Sequence, residues 1–134
     1  MKTILCVDDE KNILAFVTRI LSRKGYNVLV LDNPTEVAAL LLEEQIDLVI
    51  LDVEMPEKSG LEIFDELKKQ TPTLPVLFLT GFPSAFHLDR PDKIERWQAG
   101  FSDGRTDILY KPFALEDLFA KVEELLGAGE VEVV

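Results

Sequence analysis

Five short apolar segments alternate with helical patterns along this chain, and this alternation restricts its fold more than any other feature of the sequence. Each segment is a nearly continuous apolar run, which is typical of parallel strands that are buried on both faces. Strands separated by helices connect through right-handed crossovers, which place helices on both sides of the sheet. We therefore predict a doubly wound, three-layer α/β fold with strands at residues 3–7, 27–31, 48–51, 75–79 and 108–110.

The segments between these strands carry helical patterns, and local signals mark their ends. One apolar stripe stops at Gly25, a residue type that often follows a helix. Asn33 and Pro34 form a cap and a first-turn proline, and Ser59 with Glu62 forms a capping-box pattern. We predict helices at residues 12–24, 34–44, 59–69 and 115–126, and a less regular one at 94–98.

The charge balance and the scarcity of cysteine limit what the chain can do. Its 134 residues predict one domain, and 25 acidic residues against 14 basic ones give a net charge of −11. This excess argues against nonspecific nucleic-acid binding and favours a divalent cation or a basic partner. Cys6 has no second cysteine to pair with, so no disulfide is expected.

No segment is apolar enough for a transmembrane helix or a signal peptide, which predicts a cytoplasmic protein without membrane contact.

Polar residues with related chemistry follow four of the five predicted strands. Asp8 and Asp9 follow the first strand, Asp52 the third, Thr80 the fourth and Lys111 the fifth. In a doubly wound sheet the carboxyl ends of the strands border the crevice where ligands bind, so these side chains are expected to converge. Two carboxylates about 4 Å apart repel by roughly 4 kcal/mol at an effective dielectric near 20. Mg²⁺ relieves such repulsion, and it accepts carboxylates, waters and a phosphate oxygen together.

This set of groups predicts a site for a phosphoryl group. A metal ion and Lys111 would neutralise the phosphate oxygens, and Thr80 would donate a hydrogen bond to one of them. The chain has no glycine-rich phosphate loop, so nucleotide binding is not expected. A Ser-His or Cys-His pair is not expected either, because the one histidine, His87, lies in the irregular segment at residues 83–100. Asp52 stands alone at its strand end, and a carboxylate can form an acyl phosphate. We therefore predict Asp52 as the acceptor.

The same residues resemble those of a known family, the receiver domains of bacterial response regulators. The four matching motifs occur in order and at predicted strand ends over residues 1–127, which makes the resemblance specific. They are Asp8-Asp9, Asp52 with Met55-Pro56 and Gly60, Thr80-Gly81, and Lys111-Pro112-Phe113. The resemblance implies a flavodoxin-like sheet with strand order 2-1-3-4-5, a receiver domain at residues 1–127 and a C-terminal tail at 128–134.

The resemblance also implies a role for each acidic residue of the site. Asp52 would accept a phosphoryl group from a histidine of a partner kinase or phosphotransfer domain. The domain would then act as a conformational switch and not as a conventional enzyme. Asp9 and Asp52 would bind Mg²⁺ directly, together with the backbone carbonyl of Glu54, and Asp8 would bind it mostly through water.

For the phosphoryl oxygens the resemblance implies Thr80 and Lys111, and the bond from Lys111 to Pro112 is cis in most members. Many members carry Tyr or Phe three residues before this lysine, and that ring moves inward with the threonine when the domain switches. Here the position is Ile108, which is shorter and stiff at χ1. Strand alternation places Tyr110 on the same face, one pleat nearer the site. Thr80, Ile108 and Tyr110 are therefore the expected switch residues.

The segment between Thr80 and Lys111 departs most from the family pattern. These two residues are 31 positions apart, which is longer than usual for the family. We hypothesise that residues 81–106 respond to the signal through an order–disorder change that repacks Phe82 and Trp97, with Tyr110 as a substitute for the missing ring. The alternative is a static loop that is specific to a partner.

Two other functions stay open from the sequence alone. An aspartyl-phosphate phosphatase of the haloacid-dehalogenase type also uses a nucleophilic Asp, Mg²⁺, Thr or Ser, and Lys. Its nucleophile normally ends the first strand in an Asp-x-Asp motif, whereas Asp8 and Asp9 are adjacent here. The second alternative is a receiver-like binding module that is never phosphorylated, although such modules commonly lose the acidic set.

Residues 130–134 are expected to be a frayed tail, with an added edge strand in a homodimer as the alternative.

Overall fold

The computed structural model describes residues 1–55, 59–81 and 105–128, which form five strands, four α-helices and one 3₁₀ turn. The strands are β1 (Thr3–Val7), β2 (Asn27–Leu31), β3 (Leu48–Asp52), β4 (Val76–Thr80) and β5 (Thr106–Tyr110). The helices are α1 (Lys11–Arg23), α2 (Val37–Glu43), which follows the 3₁₀ turn Pro34–Glu36, α3 (Gly60–Gln70) and α4 (Leu115–Ala128). None of these described helices is long and apolar enough to cross a membrane.

The five strands form one parallel sheet in the order β2-β1-β3-β4-β5. This confirms the predicted doubly wound α/β fold and the strand order that the family resemblance implied. The register pairs Asp52 with Leu79 and places Thr80 beside Tyr110. Because all strands run in the same direction, their carboxyl ends lie along one edge of the sheet, where ligands bind in such folds.

A hydrophobic core lies on each face of the sheet, because residues alternate between the faces along each strand. Ile4 and Cys6 of β1 pack with α1 and α4, whereas Leu5 and Val7 pack with α2 and α3. The central strands β1, β3 and β4 are buried almost throughout, while β2 and β5 at the edges keep partly exposed residues. Burial on both faces explains why the sequence shows continuous apolar runs in place of alternation.

Local signals in the sequence explain where the helices begin and end. The side chain of Asn33 accepts a hydrogen bond from the Thr35 backbone N–H at 3.0 Å, and Ser59 Oγ accepts one from Glu62 N–H at 3.3 Å. After α1, Gly25 adopts a φ of +93°, a conformation that residues with a side chain rarely adopt. The predicted bounds of these helices are confirmed to within two residues, except that the second one opens with the 3₁₀ turn.

Strand β5 begins two residues earlier than predicted, because its first two residues are polar. The predicted strand started at Ile108, but the structure extends it to Thr106, which is buried and pairs with Val76 of β4. The Asp107 carboxylate lies on the other face and forms an ion pair with Lys121 of α4 at 2.7 Å. Contacts with β4 and α4 therefore allow two polar residues, Thr106 and Asp107, to begin a strand that the apolar pattern alone does not predict.

Part of the prediction falls outside the described residues. It comprises the helix at 94–98, the packing of Phe82 and Trp97, and most of the hypothesis on residues 81–106. The last described element, α4, ends at Ala128, one residue beyond the predicted boundary of the domain at 127.

Candidate functional site

The carboxyl edge of the sheet gathers the polar residues that the sequence predicts as a site. Asp8 follows β1, Asp52 ends β3, Thr80 ends β4 and Lys111 follows β5. These four strands are consecutive neighbours in the sheet. The backbone N–H of Lys111 donates to the Thr80 carbonyl at 2.8 Å, which fixes the chain after β5 against the end of β4. The fold thus places all four residues at one edge.

The ammonium of Lys111 lies among three carboxylates. Its Nζ is 3.1 Å from Asp8 Oδ2, 3.2 Å from Glu10 Oε1 and 3.6 Å from Asp52 Oδ1. The contacts to Asp8 and Glu10 are hydrogen bonds, and the contact to Asp52 is a longer ion pair. Only 14% of the Lys111 side chain is exposed, so these contacts are partly shielded from solvent. The peptide bond to Pro112 is cis, as the family resemblance implied.

Four carboxyl groups of the described residues lie close enough together to share one cation. One oxygen from each of Asp8, Asp9, Glu10 and Asp52 lies within 4.8 Å of the others. Asp8 and Asp52 are buried, whereas Asp9 and Glu10 are exposed. Asp8 Oδ1 accepts a hydrogen bond from the Glu10 backbone N–H at 2.9 Å, and Asp52 Oδ1 accepts one from Glu54 N–H at 3.3 Å. The backbone therefore orients the two buried carboxylates, and the two exposed ones border solvent.

Glu10 is the member of this cluster that was not predicted from the sequence. It directly follows Asp8 and Asp9, but an acidic residue just before a helix is common because it complements the helix dipole. Its position beside Asp8 and Asp9 was the one feature of the sequence that could have indicated its place in the cluster. Its contact with Lys111 joins residues 101 positions apart, and such a contact is visible only in the folded chain.

Burial and mutual repulsion change the proton affinity of these groups. The pKa of Asp52 is raised to about 7, first by burial and then by the charge of Asp8, although Lys111 acts in the opposite direction. The pKa of Asp8 is also raised, because its burial outweighs the hydrogen bond from Glu10 and the attraction of Lys111. Burial disfavours the charged form of Lys111, but Asp8 and Asp52 more than offset this and raise its pKa. One ammonium therefore does not balance the four carboxylates.

The donor set of the cluster fits a hard divalent cation. Mg²⁺ prefers oxygen ligands and is commonly held by one or two carboxylates together with waters. Asp9 and Asp52 offer such oxygens, whereas Asp8 is already engaged by Lys111. A divalent cation would also remove the repulsion that raises the pKa of Asp52. The residues present are therefore compatible with the Mg²⁺ ion that the family resemblance implied.

The remaining predicted residues lie beside this cluster. Thr80 is fully buried at the end of β4, and Tyr110, 48% exposed, is its register partner on β5. Ile108 is half-buried and packs against the core on the side of α2 and α3. The side chain of Glu54 is exposed, while its backbone N–H binds Asp52. Thr80 and Tyr110 are therefore neighbours, and Ile108 lies two residues further from the carboxyl edge of the sheet.

A glycine lets α3 approach the end of β3 closely. Gly60 is the first residue of α3, and its backbone N–H donates to the Val53 carbonyl at 3.0 Å. A Cβ atom at this position would overlap the backbone carbonyl oxygen of Asp52. The glycine of the sequence motif therefore sets how α3 packs beside Asp52.

Comparisons with known proteins identify the family of this chain. The family model for the response regulator receiver domain matches residues 4–123. The chain is 37% identical over 134 residues to response regulator MprA of Mycolicibacterium vanbaalenii, and 32% identical over 132 residues to the probable transcriptional regulatory protein TcrX of Mycobacterium tuberculosis. These alignments cover 95% and 98% of this chain but 54% and 53% of the relatives. The chain thus spans about half the length of the curated relatives it matches.

Solved structures share the fold over nearly the whole chain. Chemotaxis protein CheY4 of Vibrio cholerae superposes with a TM-score of 0.75 at 30% identity, covering 93% of this chain and 98% of that one. Response regulator protein TrrA of Thermotoga maritima, solved with Mg²⁺ and BeF, gives a TM-score of 0.73 at 31% identity, covering 93% and 99%. The family match, the strand order and the residues at the strand ends all agree. The chain therefore belongs to the receiver domains of response regulators.

Proposed function

We propose that this chain is a phosphoacceptor, in which Asp52 takes a phosphoryl group from a histidine of a partner kinase or phosphotransfer protein. The observation that carries the proposal is the position of Asp52. It is buried at the end of β3, 3.6 Å from Lys111 Nζ, within a cluster of carboxylates that suits a divalent cation. Membership of the receiver family supports the same role.

In the proposed reaction, a carboxylate oxygen of Asp52 attacks the phosphorus of the phosphohistidine. A P–O bond forms while the P–N bond breaks, and the histidine nitrogen leaves with the electron pair. Mg²⁺, held by Asp9, Asp52 and the Glu54 carbonyl and mostly through water by Asp8, would supply positive charge to the carboxylates and the phosphoryl oxygens. Hydrolysis of the acyl phosphate would restore the Asp52 carboxylate and release inorganic phosphate.

Lys111 and Thr80 would hold the phosphoryl group once it is attached. The Lys111 ammonium already lies 3.6 Å from a carboxylate oxygen of Asp52. A small movement of the ammonium would therefore bring it to an oxygen of the attached phosphoryl group. Thr80 ends the neighbouring strand, one position beyond the register partner of Asp52, and would donate a hydrogen bond from its hydroxyl. We propose that a shift of Thr80 moves Tyr110, which is the register partner of Thr80 on β5, and also moves Ile108.

The proposed partners follow from charge and from the family. A net charge of −11 favours a basic docking surface on the kinase or phosphotransfer protein and disfavours direct nucleic-acid binding by this domain. We place this function in the cytoplasm, in a receiver domain at residues 1–127 followed by a tail at 128–134. The domain is a signalling switch, so it should not turn over a small-molecule substrate.

Treatment with acetyl phosphate tests the proposal. In the presence of Mg²⁺ the intact mass should increase by one phosphoryl group, and peptide mapping should locate it at Asp52. Chelation of Mg²⁺ and the Asp52→Asn substitution should each abolish the label. Asp32→Asn is the matched control, because Asp32 is an exposed aspartate that follows β2 at the same edge of the sheet, and it should be labelled normally.

Three outcomes would contradict the proposal. Full labelling of the Asp52→Asn variant would show that another residue is the acceptor. Steady hydrolysis of a phosphate monoester such as p-nitrophenyl phosphate would support the phosphatase. A folded wild-type protein that binds no phosphoryl group from acetyl phosphate or from a phosphorylated histidine kinase would support the binding module.

A further inference from the structure

Glu10 occupies a position beside Lys111 that the proposed phosphoryl transfer does not use. Its Oε1 lies 3.2 Å from Lys111 Nζ, while its backbone N–H donates to Asp8 Oδ1 at 2.9 Å. Its side chain is 59% exposed. The backbone of Glu10 is therefore tied to a buried carboxylate, but its own carboxylate can leave the ammonium for water by rotation of the side chain.

The three carboxylates that contact Lys111 differ in how readily they can release it. The Asp8 side chain is fully buried and that of Asp52 is 5% exposed, so separating either one from the ammonium would leave a buried charge without its partner. Glu10 is already in contact with solvent. An ion pair of that kind typically changes an equilibrium constant only about 1.4- to fivefold. Glu10 is therefore the contact that Lys111 can give up most easily.

We infer that Glu10 is a releasable counter-ion, which holds the Lys111 ammonium in the unphosphorylated domain and yields it to the phosphoryl group on Asp52. This inference rests on the proposed function of Asp52. A phosphoryl group adds negative charge and strong acceptor oxygens beside Lys111, so the ammonium gains a better partner than an exposed glutamate. Glu10 is thus a positioning residue that acts through Lys111 and competes with the phosphorylated state.

The Glu10→Gln variant tests this competition, because it keeps the size of the side chain and removes its charge. With saturating Mg²⁺, acetyl phosphate should label Asp52 of the variant about 1.4- to fivefold faster than Asp52 of the wild type, the range of a partly exposed ion pair. The gain should shrink in high salt, because screening weakens the wild-type pair. Glu44→Gln is the matched control, since Glu44 is exposed after α2, at the opposite end of the sheet, and should behave as wild type.

A second readout does not depend on phosphorylation. The ¹⁵N resonance of Lys111 Nζ in the unphosphorylated protein should shift in Glu10→Gln and stay in place in Glu44→Gln, because only the first substitution alters a carboxylate at the ammonium. An unchanged Lys111 resonance, or labelling of Glu10→Gln at saturating Mg²⁺ that is equal to or slower than wild type, would overturn the inference. Failure to label the wild type as well would instead refute the proposed function, and this inference with it.

Discussion

Lys111 faces more negative charge than one ammonium can balance. Asp8, Glu10 and Asp52 all lie within 3.6 Å of its Nζ, and Asp9 adds a fourth carboxylate to the cluster. Burial first, and the charge of Asp8 second, explain why the pKa of Asp52 is raised although a cation lies beside it. The excess charge also explains how a divalent cation and a phosphoryl group could be accommodated together, since each offsets the charge that the other brings.

Asp52 should make the stability of the metal-free protein depend on pH. Its pKa is raised from 3.8 to about 7 on folding, so the folded state binds more protons than the unfolded state between these values. The free energy of unfolding should therefore fall as the pH rises from about 4 to about 7, by about 1–3 kcal/mol after allowance for the partial solvent access of the site. Asp52→Asn should remove most of this decline. Urea unfolding in the presence of EDTA, across this pH range, measures it.

The unfolding experiment has a control variant, and it can be repeated with Mg²⁺ in place of EDTA. Asp32→Asn should keep the wild-type pH dependence, because Asp32 is exposed. Mg²⁺ should stabilise the wild type more above pH 7 than below it, since it competes with the proton for Asp52. An equally steep decline in Asp52→Asn would show that Asp52 does not carry the raised pKa.

Residue identity and strand position together were enough to predict most of this site. Asp8, Asp52 and Lys111 could be predicted because each lies at a strand end, and parallel strands bring such ends to one edge. The roles expected of Asp9 and Glu54 toward Mg²⁺ came from the family resemblance. Glu10 was not predicted, because its contact with Lys111 joins side chains 101 positions apart in the sequence.

The junction between β3 and α3 should be sensitive to a single added methyl group. Gly60→Ala should lower the free energy of unfolding by about 1–3 kcal/mol, because the new Cβ would overlap the Asp52 carbonyl oxygen and force α3 or β3 to move. Labelling of Asp52 should slow as well, since its backbone would shift. Urea unfolding and the acetyl phosphate assay measure the two effects.

Gly127→Ala is the matched control for that substitution. Gly127 also lies in a helix, α4, but nothing lies within 4 Å of the Cβ that alanine would add. This variant should be neutral or stabilised by up to about 1 kcal/mol, as expected for alanine in place of glycine in a helix. Equal stability of Gly60→Ala and Gly127→Ala would contradict the close approach of α3 to Asp52.

The elements that could be predicted well are those whose signals are local. The strands β1, β3 and β4 are continuous apolar runs, and the helices α1 and α3 carry their own caps or stops. The start of β5 was predicted too late because the partner of Asp107 is Lys121, on a helix that follows it in the chain. Such tertiary contacts override the local pattern.

At the scale of the whole fold, the site lies at the topological switch point of the sheet, where successive strands are added on opposite sides of β1. The chain passes from β1 outward to β2 and then returns to β3 on the other side, so a crevice opens between the carboxyl ends of β1 and β3. Asp8 and Asp52 follow or end these two strands and therefore flank that crevice. The apolar pattern predicted the parallel sheet, but the strand order required the family resemblance, because several orders fit the same pattern of runs.

A crystal structure with Mg²⁺ and beryllofluoride, a mimic of the phosphoryl group, would test the phosphoacceptor role of the strand-end site. We expect the beryllium to be attached to the Asp52 carboxylate, with Mg²⁺ bound by Asp9 and Asp52. Lys111 Nζ should contact a fluorine atom and should have left Glu10. Beryllofluoride on another residue, or Mg²⁺ bound away from Asp52, would contradict both the acceptor and the metal site proposed for this domain.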